Sequence, residues 1–156
     1  LALAMPSPFR VVAKRGLLHV PFFGWALWLG GFIFVDRSDR EKAIRSLDRA
    51  VRIIRRGMSV VVFAEGTRSP DGRLLPFKKG GFVLALQAGV AIVPVAIRGG
   101  REVLPKGGLR IRPGTIDVIF GAPVTTSSYT FETRDALIAA VRERIAAELH
   151  REPEPR

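Results

Sequence analysis

The sequence is organised around the stretch from Val60 to Gly72, which reads VVVFAEGTRSPDG. Its first four residues, Val60 to Phe63, are β-branched or aromatic without interruption, a pattern typical of a strand covered on both faces of a sheet. The apolar run stops at polar residues, and in open α/β sheets ligands bind at the carboxyl ends of the strands. The stretch therefore predicts a buried strand that ends at a binding site for an anion.

The residues after this strand have groups suited to an anionic ligand. Gly66 permits a sharp turn or a close approach of the backbone, Thr67 offers a hydroxyl group, and Arg68 offers a planar guanidinium that matches a phosphate or carboxylate. Glu65 is expected to fix the direction of that guanidinium by accepting one of its hydrogen bonds. A second interpretation stays open, because residues 69–72 (SPDG) have good turn chemistry and the stretch could be a strand followed by a polar surface turn.

The composition fits one domain with a sizeable core, because the chain has 156 residues of which 47% are hydrophobic. Lysine and arginine number 25 against 14 for aspartate and glutamate, a net charge of +11. This charge favours an anionic partner such as nucleic acid, an acidic membrane surface or a phosphorylated substrate. The sequence has no cysteine, which excludes disulfides and thiolate metal sites. No metal site and no cofactor are expected.

The hydrophobic pattern predicts an α/β fold. Strands are expected at 9–14, 31–35, 60–63 and 91–97, a hairpin at 110–120, and helices at 21–29, 38–57, 80–88 and 134–149. The strands at 31–35 and 60–63 should be parallel because a helix connects them. Pro94 should lie at an edge, a bulge or a place where a ladder bond is absent. We expect a single domain over residues 1–150, with a central mostly parallel or mixed sheet flanked by helices, and a frayed tail at 151–156.

The longest nearly uncharged run, from Leu17 to Val35, has a marginal length for crossing a bilayer and is expected to be buried or interfacial. Phe22, Phe23 and Trp25 are each expected to fill the core, although the whole segment could also dip into the headgroup region of a membrane. A set of arginines on the outer face of the 38–57 helix is expected to face solvent and to strengthen attraction to anionic lipid: Arg45, Arg49, Arg52 and Arg56.

Three ordered blocks resemble the glycerolipid acyltransferases typified by 1-acylglycerol-3-phosphate acyltransferase. Residues 63–69 (FAEGTRS) resemble the family's acceptor-phosphate motif, with Ala64 where the family usually has proline. Residues 31–37 (GFIFVDR) resemble the preceding block, and residues 92–97 (IVPVAI) resemble the following one. Several ordered blocks at compatible spacing are more specific than a single tetrapeptide.

The resemblance implies a site for the acceptor's phosphate. The matching positions in the motifs are Arg37, Glu65, Gly66, Thr67 and Arg68, with Lys14 and Lys79 expected to border the same pocket. Arg37 and Arg68 should converge on one anion, because each follows a buried strand that ends at the same edge of the sheet.

The reaction implied is transfer of an acyl group from a thioester of coenzyme A or acyl carrier protein to the free hydroxyl of 1-acylglycerol 3-phosphate, which gives phosphatidic acid. The family's general base lies in a His-x-x-x-x-Asp motif, where the histidine removes the hydroxyl proton and the aspartate orients the imidazole. His19 is followed five residues later by Gly24, and no aspartate follows His150. Both histidines are therefore interpreted as structural or surface residues. We expect the motif to precede Leu1, no catalytic residue to lie in this chain, and residues 1–156 alone to be nearly inactive.

Two other functions stay open: acyl transfer to a different lipid acceptor, and a nonenzymatic basic module that binds anionic lipid or nucleic acid. Nucleic acid is not an expected partner, because the aromatic residues lie in apolar blocks and do not alternate with basic ones. The expected partners are a lysophospholipid acceptor, an acyl-thioester donor and an anionic membrane surface. The expected location is the cytoplasmic face of the membrane, as a peripheral or monotopic protein.

Overall fold

The structure is a computed structural model that describes residues 8–35, 40–105, 107–108 and 110–150 and, within residues 40–44, only the course of the backbone. The chain divides into two compact units: an N-terminal unit that extends to Phe63 and a C-terminal unit that begins at Ala64.

The N-terminal unit is a parallel sheet with helices in its connections. Its elements are β1 (Phe9–Lys14), a 3-10 helix (Arg15–His19), α1 (Phe23–Leu29), β2 (Ile33–Val35), α2 (Arg40–Arg55) and β3 (Ser59–Val61). The strand order is β2-β1-β3, with Val12 opposite Ile33 and Phe9 opposite Ser59. Helix α2 contacts both β2 and β3. Since β2 and β3 are each parallel to β1, the predicted parallel direction of these two strands is confirmed.

The strand predicted at 60–63 is shorter and less buried than its sequence indicates. β3 ends at Val61, its residues are half-buried, and Phe63 is exposed. Among the described strands, β3 pairs with β1 alone. The half-burial of β3 and the exposure of Phe63 contradict the prediction of a strand covered on both faces, since an unbroken apolar run does not reveal whether other elements cover those faces.

The prediction that Phe22, Phe23 and Trp25 fill the core is also wrong. These side chains are 79%, 50% and 67% exposed. The one buried residue of α1 is Gly24, which lies so close to the backbone of Leu18 that an added Cβ atom would be 2.4 Å from its carbonyl oxygen. Helix α1 therefore packs through its glycine and presents its aromatic side chains to the outside.

The C-terminal unit packs helices against an antiparallel pair of strands. Its elements are α3 (Gly80–Ala88), β4 (Val95–Arg98), α4 (Gly100–Val103), β5 (Asp117–Phe120) and α5 (Arg134–His150). Val95 lies opposite Phe120, and α5 contacts both β4 and α3. Leu137 and Val141 of α5 are buried, and with Phe82 and Val124 they form the core of this unit.

Pro94 interrupts strand pairing as predicted. Ile92 forms an isolated bridge with Val124, and β4 begins only at Val95. The hairpin predicted at 110–120 is wrong, because in this region only Asp117–Phe120 is a strand and its partner is β4. Residues 110–112 alternate between basic and apolar side chains, but the apolar residue, Ile111, is exposed. No apolar side chain of this segment is therefore buried against a core.

The α/β fold class is confirmed, with the strands divided between a parallel and an antiparallel sheet. Within the described ranges, no helix combines the length and the apolar character that a membrane crossing needs. The single domain over residues 1–150 stays a prediction. The tail at 151–156 and the start of the helix predicted from Ser38 lie outside the described residues.

Candidate functional site

The segment from Ala64 to Arg68 forms a turn at the start of the C-terminal unit. Gly66 has a φ of 70°, in the left-handed region that favours glycine. Glu65 is half-buried, whereas Gly66, Thr67 and Arg68 are exposed. The hydroxyl and guanidinium groups of this turn are therefore accessible to a ligand.

Arg68 is positioned by the backbone that follows α4. Its Nη1 atom lies 3.2 Å from the carbonyl oxygens of Leu104 and Pro105, and donates to both. Both acceptors are neutral, and among the described residues no carboxylate pairs with this guanidinium. Its charge is therefore uncompensated there, and its remaining N–H groups can donate to an anion.

Glu65 does not orient Arg68, so that expectation is wrong. Its Oε2 atom accepts a hydrogen bond from the backbone N–H of Leu75, at a distance of 2.8 Å. The segment 70–79 returns past the turn and provides this donor, while the Lys78 N–H donates to the Ala64 carbonyl at 2.7 Å. Glu65 therefore holds the returning loop against the turn.

Arg142, on α5, holds the same loop from the other side, and sequence reasoning missed it. Its Nη1 and Nη2 atoms donate to the carbonyl oxygens of Leu75 and Leu74 at 2.6 and 2.8 Å. Its guanidinium carbon lies 5.3 Å from the centre of the Phe77 ring, within the range of a cation–π contact. The sequence offers one signal for this role: Arg142 directly follows Val141, an apolar residue of the last helix.

Residues 69–72 form the polar turn that their composition predicts. Asp71 Oδ1 accepts hydrogen bonds from the backbone N–H of Arg73 at 3.0 Å and from the Ser69 hydroxyl at 2.9 Å. These donors, the Arg73 N–H first, hold the pKa of Asp71 below its ordinary value. Arg101 Nη1 donates to the Asp71 carbonyl at 3.0 Å. The turn and the exposed Gly66 to Arg68 segment are thus parts of one anchored loop.

The phosphate-binding roles predicted for Arg37, Lys14 and Lys79 stay predictions. Lys79 Nζ is 3.2 Å from Asp135 Oδ1, so its ammonium group already has an anionic partner. Lys14 is exposed at the end of β1 in the N-terminal unit. Arg37 lies outside the described residues, and its convergence with Arg68 stays a prediction. The roles of Lys14 and Lys79 toward a phosphate also stay predictions.

Replacing Lys79 by methionine should raise the pKa of Asp135 toward its ordinary value of 3.8, because the hydrogen bond from Lys79 is the largest cause of its lowering. In the wild type, the lowered pKa of Asp135 stabilises the folded state. This contribution is fully present when the pH is above the ordinary pKa of 3.8, and it is lost as the pH falls through the lowered pKa of the folded state. NMR titration of the Asp135 carboxyl group measures the shift. Lys78→Met removes the same charge one residue away and should leave the Asp135 pKa unchanged. An equal shift in both variants would contradict a specific pair.

The fold and the loop define a class: an α/β protein in which an exposed Gly-Thr-Arg turn follows a parallel strand and carries a guanidinium that, among the described residues, donates only to backbone carbonyls. A family model described as Acyltransferase matches residues 1–98, and the chain belongs to this family.

The relatives agree with the resemblance to glycerolipid acyltransferases, which is confirmed. The chain is 35% identical to a chloroplastic 1-acyl-sn-glycerol-3-phosphate acyltransferase of Arabidopsis thaliana, over 92% of this chain and 39% of that protein. It is 43% identical to the 1-acyl-sn-glycerol-3-phosphate acyltransferase of Pseudomonas aeruginosa, over 74% of this chain and 45% of that protein. The chain therefore spans less than half the length of these curated relatives.

A solved structure has the same fold. The crystal structure of the 1-acyl-sn-glycerophosphate (LPA) acyltransferase PlsC from Thermotoga maritima matches with a TM-score of 0.70 and 28% identity. The match covers 94% of this chain and 59% of that one.

Proposed function

We propose that the chain is part of an enzyme that transfers an acyl group from an acyl thioester to the free hydroxyl of 1-acylglycerol 3-phosphate, giving phosphatidic acid in phospholipid biosynthesis. The observation that carries the proposal is the exposed turn at Gly66 to Arg68, whose guanidinium has only neutral partners among the described residues. A phosphate on the acceptor would supply the missing negative charge. The names of the relatives support the choice of a lysophospholipid as acceptor.

In the proposed reaction, the acceptor hydroxyl oxygen bonds to the thioester carbonyl carbon and the C–S bond breaks. A base takes the hydroxyl proton and passes it to the leaving thiolate, which is released as the thiol. The contribution of this chain is to hold the phosphate at Arg68, with Arg37 as a second ligand, so that the hydroxyl is oriented for attack. Residues 1–156 contain no His-x-x-x-x-Asp sequence. We assign the proton transfer to such a motif outside these residues. Coenzyme A and acyl carrier protein both fit as carriers of the thioester.

The proposal includes an anionic membrane surface as a partner, with peripheral or monotopic attachment at the cytoplasmic face. It is supported by the net charge of +11 and by the exposed aromatic residues of α1. Both acceptor and product are lipids, so a membrane-bound site would meet them where they are concentrated.

The test compares residues 1–156 with a chain extended upstream to include the His-x-x-x-x-Asp motif. Formation of phosphatidic acid is measured with 1-acylglycerol 3-phosphate and either acyl-coenzyme A or acyl carrier protein as donor. We expect the extended chain to be active and residues 1–156 to be slower by about 10²- to 10⁴-fold, the usual contribution of a general base.

The matched control is the extended chain with its motif histidine changed to alanine, which should fall to the level of the short chain. Robust transfer by residues 1–156 would contradict the assignment of the base. Preferred acylation of glycerol 3-phosphate, or of a lipid without a phosphate, would replace the proposed acceptor.

A further inference from the structure

The N-terminal unit contains a cleft of about 420 Å³ between the end of α1, β2 and α2. Trp28, Phe32 and Ile53 contribute apolar surface to its lining. Its basic lining residues are Arg15, Arg45 and Arg49. A neighbouring cleft of about 290 Å³ shares Arg49 and Ile53 with the first and adds Arg10 and Arg56. The two clefts thus form one apolar surface bordered by arginines.

The charged residues among the described lining of the two clefts are arginines. None of the described residues that line the two clefts is acidic. Arg49 lines both clefts and is exposed, whereas Arg52, one turn further along α2, is also exposed but lines neither. A ligand in this place therefore meets positive charge beside apolar side chains, which suits an anionic amphiphile better than a free inorganic anion.

The aromatic side chains of α1 extend the apolar surface outward. Trp28, which lines the first cleft, is 68% exposed, and Leu29 beside it is 77% exposed. The Phe22 and Trp25 rings are in edge contact with their centres 5.9 Å apart, so the exposed residues form a patch. Tryptophan is the residue that most favours the boundary between lipid headgroups and acyl chains.

We propose that the cleft binds the headgroup of an anionic bilayer phospholipid, with the lipid phosphate against Arg49 and the aromatic side chains of α1 in the membrane interface. The lining residues of the cleft belong to the N-terminal unit and the Gly66 to Arg68 turn belongs to the C-terminal unit, and the proposal does not depend on acyl transfer. The N-terminal unit would thus have a specific lipid site. Net charge alone would give only a diffuse attraction of the protein to an anionic membrane.

Lipid binding is tested with the 156-residue chain and dihexanoyl phosphatidylglycerol, a soluble phospholipid used below its micelle concentration. Trp25→Phe leaves Trp28 as the single tryptophan of the chain, because the sequence has two. In this background the Trp28 fluorescence should change saturably with added lipid. Glycerol 1-phosphate and inorganic phosphate, which carry the anion without acyl chains, should bind much more weakly. Saturation by inorganic phosphate at the same concentration would overturn the lipid assignment.

The matched variants are Arg49→Gln and Arg52→Gln, which remove the same charge from the same helix. Arg49→Gln should weaken lipid binding about tenfold or more, as expected for a lost charge-assisted hydrogen bond, and Arg52→Gln should change it by less than about threefold. Cosedimentation with vesicles of equal parts phosphatidylcholine and phosphatidylglycerol should give the same order of affinities. Equal losses in the two variants would show diffuse attraction and overturn the proposed cleft site. Both variants should unfold at the same temperature as the wild type, so that a difference in affinity between them reflects lipid binding and not folding.

Discussion

Replacing Arg68 by alanine in the extended enzyme should lower acyl transfer to a phosphorylated acceptor by about one to two orders of magnitude. The reason is the loss of charge-assisted hydrogen bonds to the acceptor's phosphate, worth about 1.5 to 3 kcal/mol. Arg68→Lys should recover only part of the rate, because lysine keeps the charge but not the planar arrangement of donors. The measurement is steady-state transfer over a range of acceptor concentrations.

The control for this experiment is Arg52→Ala, with vesicle binding measured in parallel. Arg52 is exposed on α2, so its removal should slightly weaken attraction to an anionic membrane and leave the acceptor site unchanged. If both alanine variants lost equal activity, and if the loss followed vesicle binding, Arg68 would contribute only to the general positive charge. That result would favour a basic lipid-binding protein over an acyltransferase with a specific phosphate site.

Replacing Arg142 by methionine should lower the free energy of unfolding by about 2 to 4 kcal/mol, because two half-buried carbonyl groups lose a charged donor. Methionine fills similar space against Phe77 but donates no hydrogen bond to Leu74 or Leu75. The change also frees one side of the loop that carries the turn, so the extended enzyme should need a higher acceptor concentration for half-maximal rate. Urea denaturation and steady-state kinetics measure the two effects.

Arg144→Met is the matched control on the same helix. Arg144 Nη1 donates to the carbonyls of Ala122 and Pro123 at 2.9 and 3.2 Å, but these bonds are exposed. Its removal should cost less than about 1 kcal/mol, the usual range for surface interactions. Equal destabilisation by the two substitutions would mean that Arg142 has no special part in holding the loop.

Local patterns predicted the elements that depend on neighbouring residues. β1 occupies Phe9–Lys14 as its apolar run indicates, and α3 spans Gly80–Ala88. α3 ends at Gly89, whose φ of 71° explains why glycine stops the helix there. Glycines and periodic apolar residues act within a few positions, so the sequence alone carries this information.

Long-range pairing and the orientation of the aromatic residues could not be predicted in the same way. The partner of β5 is β4 and not the adjacent 110–112 segment, a choice decided by contacts across the unit. The bond from Arg142 to Leu75 joins residues 67 positions apart, which no local pattern indicates. The sequence of α1 identified Trp25 as apolar but not whether another element covers it. A motif in the sequence marks the candidate turn. No motif marks Arg142, which holds the loop beside it.

The peptide groups on either side of Leu75 are fixed by opposite charges, with the Glu65 carboxylate on its N–H and the Arg142 guanidinium on its C=O. The loop can lift away from the turn only if the bond to Glu65 breaks, and that event exposes the Leu75 amide proton to water. Exchange of this single proton for deuterium therefore reports loop opening. Its protection from exchange measures the free energy of opening the anchored loop around the Gly-Thr-Arg turn.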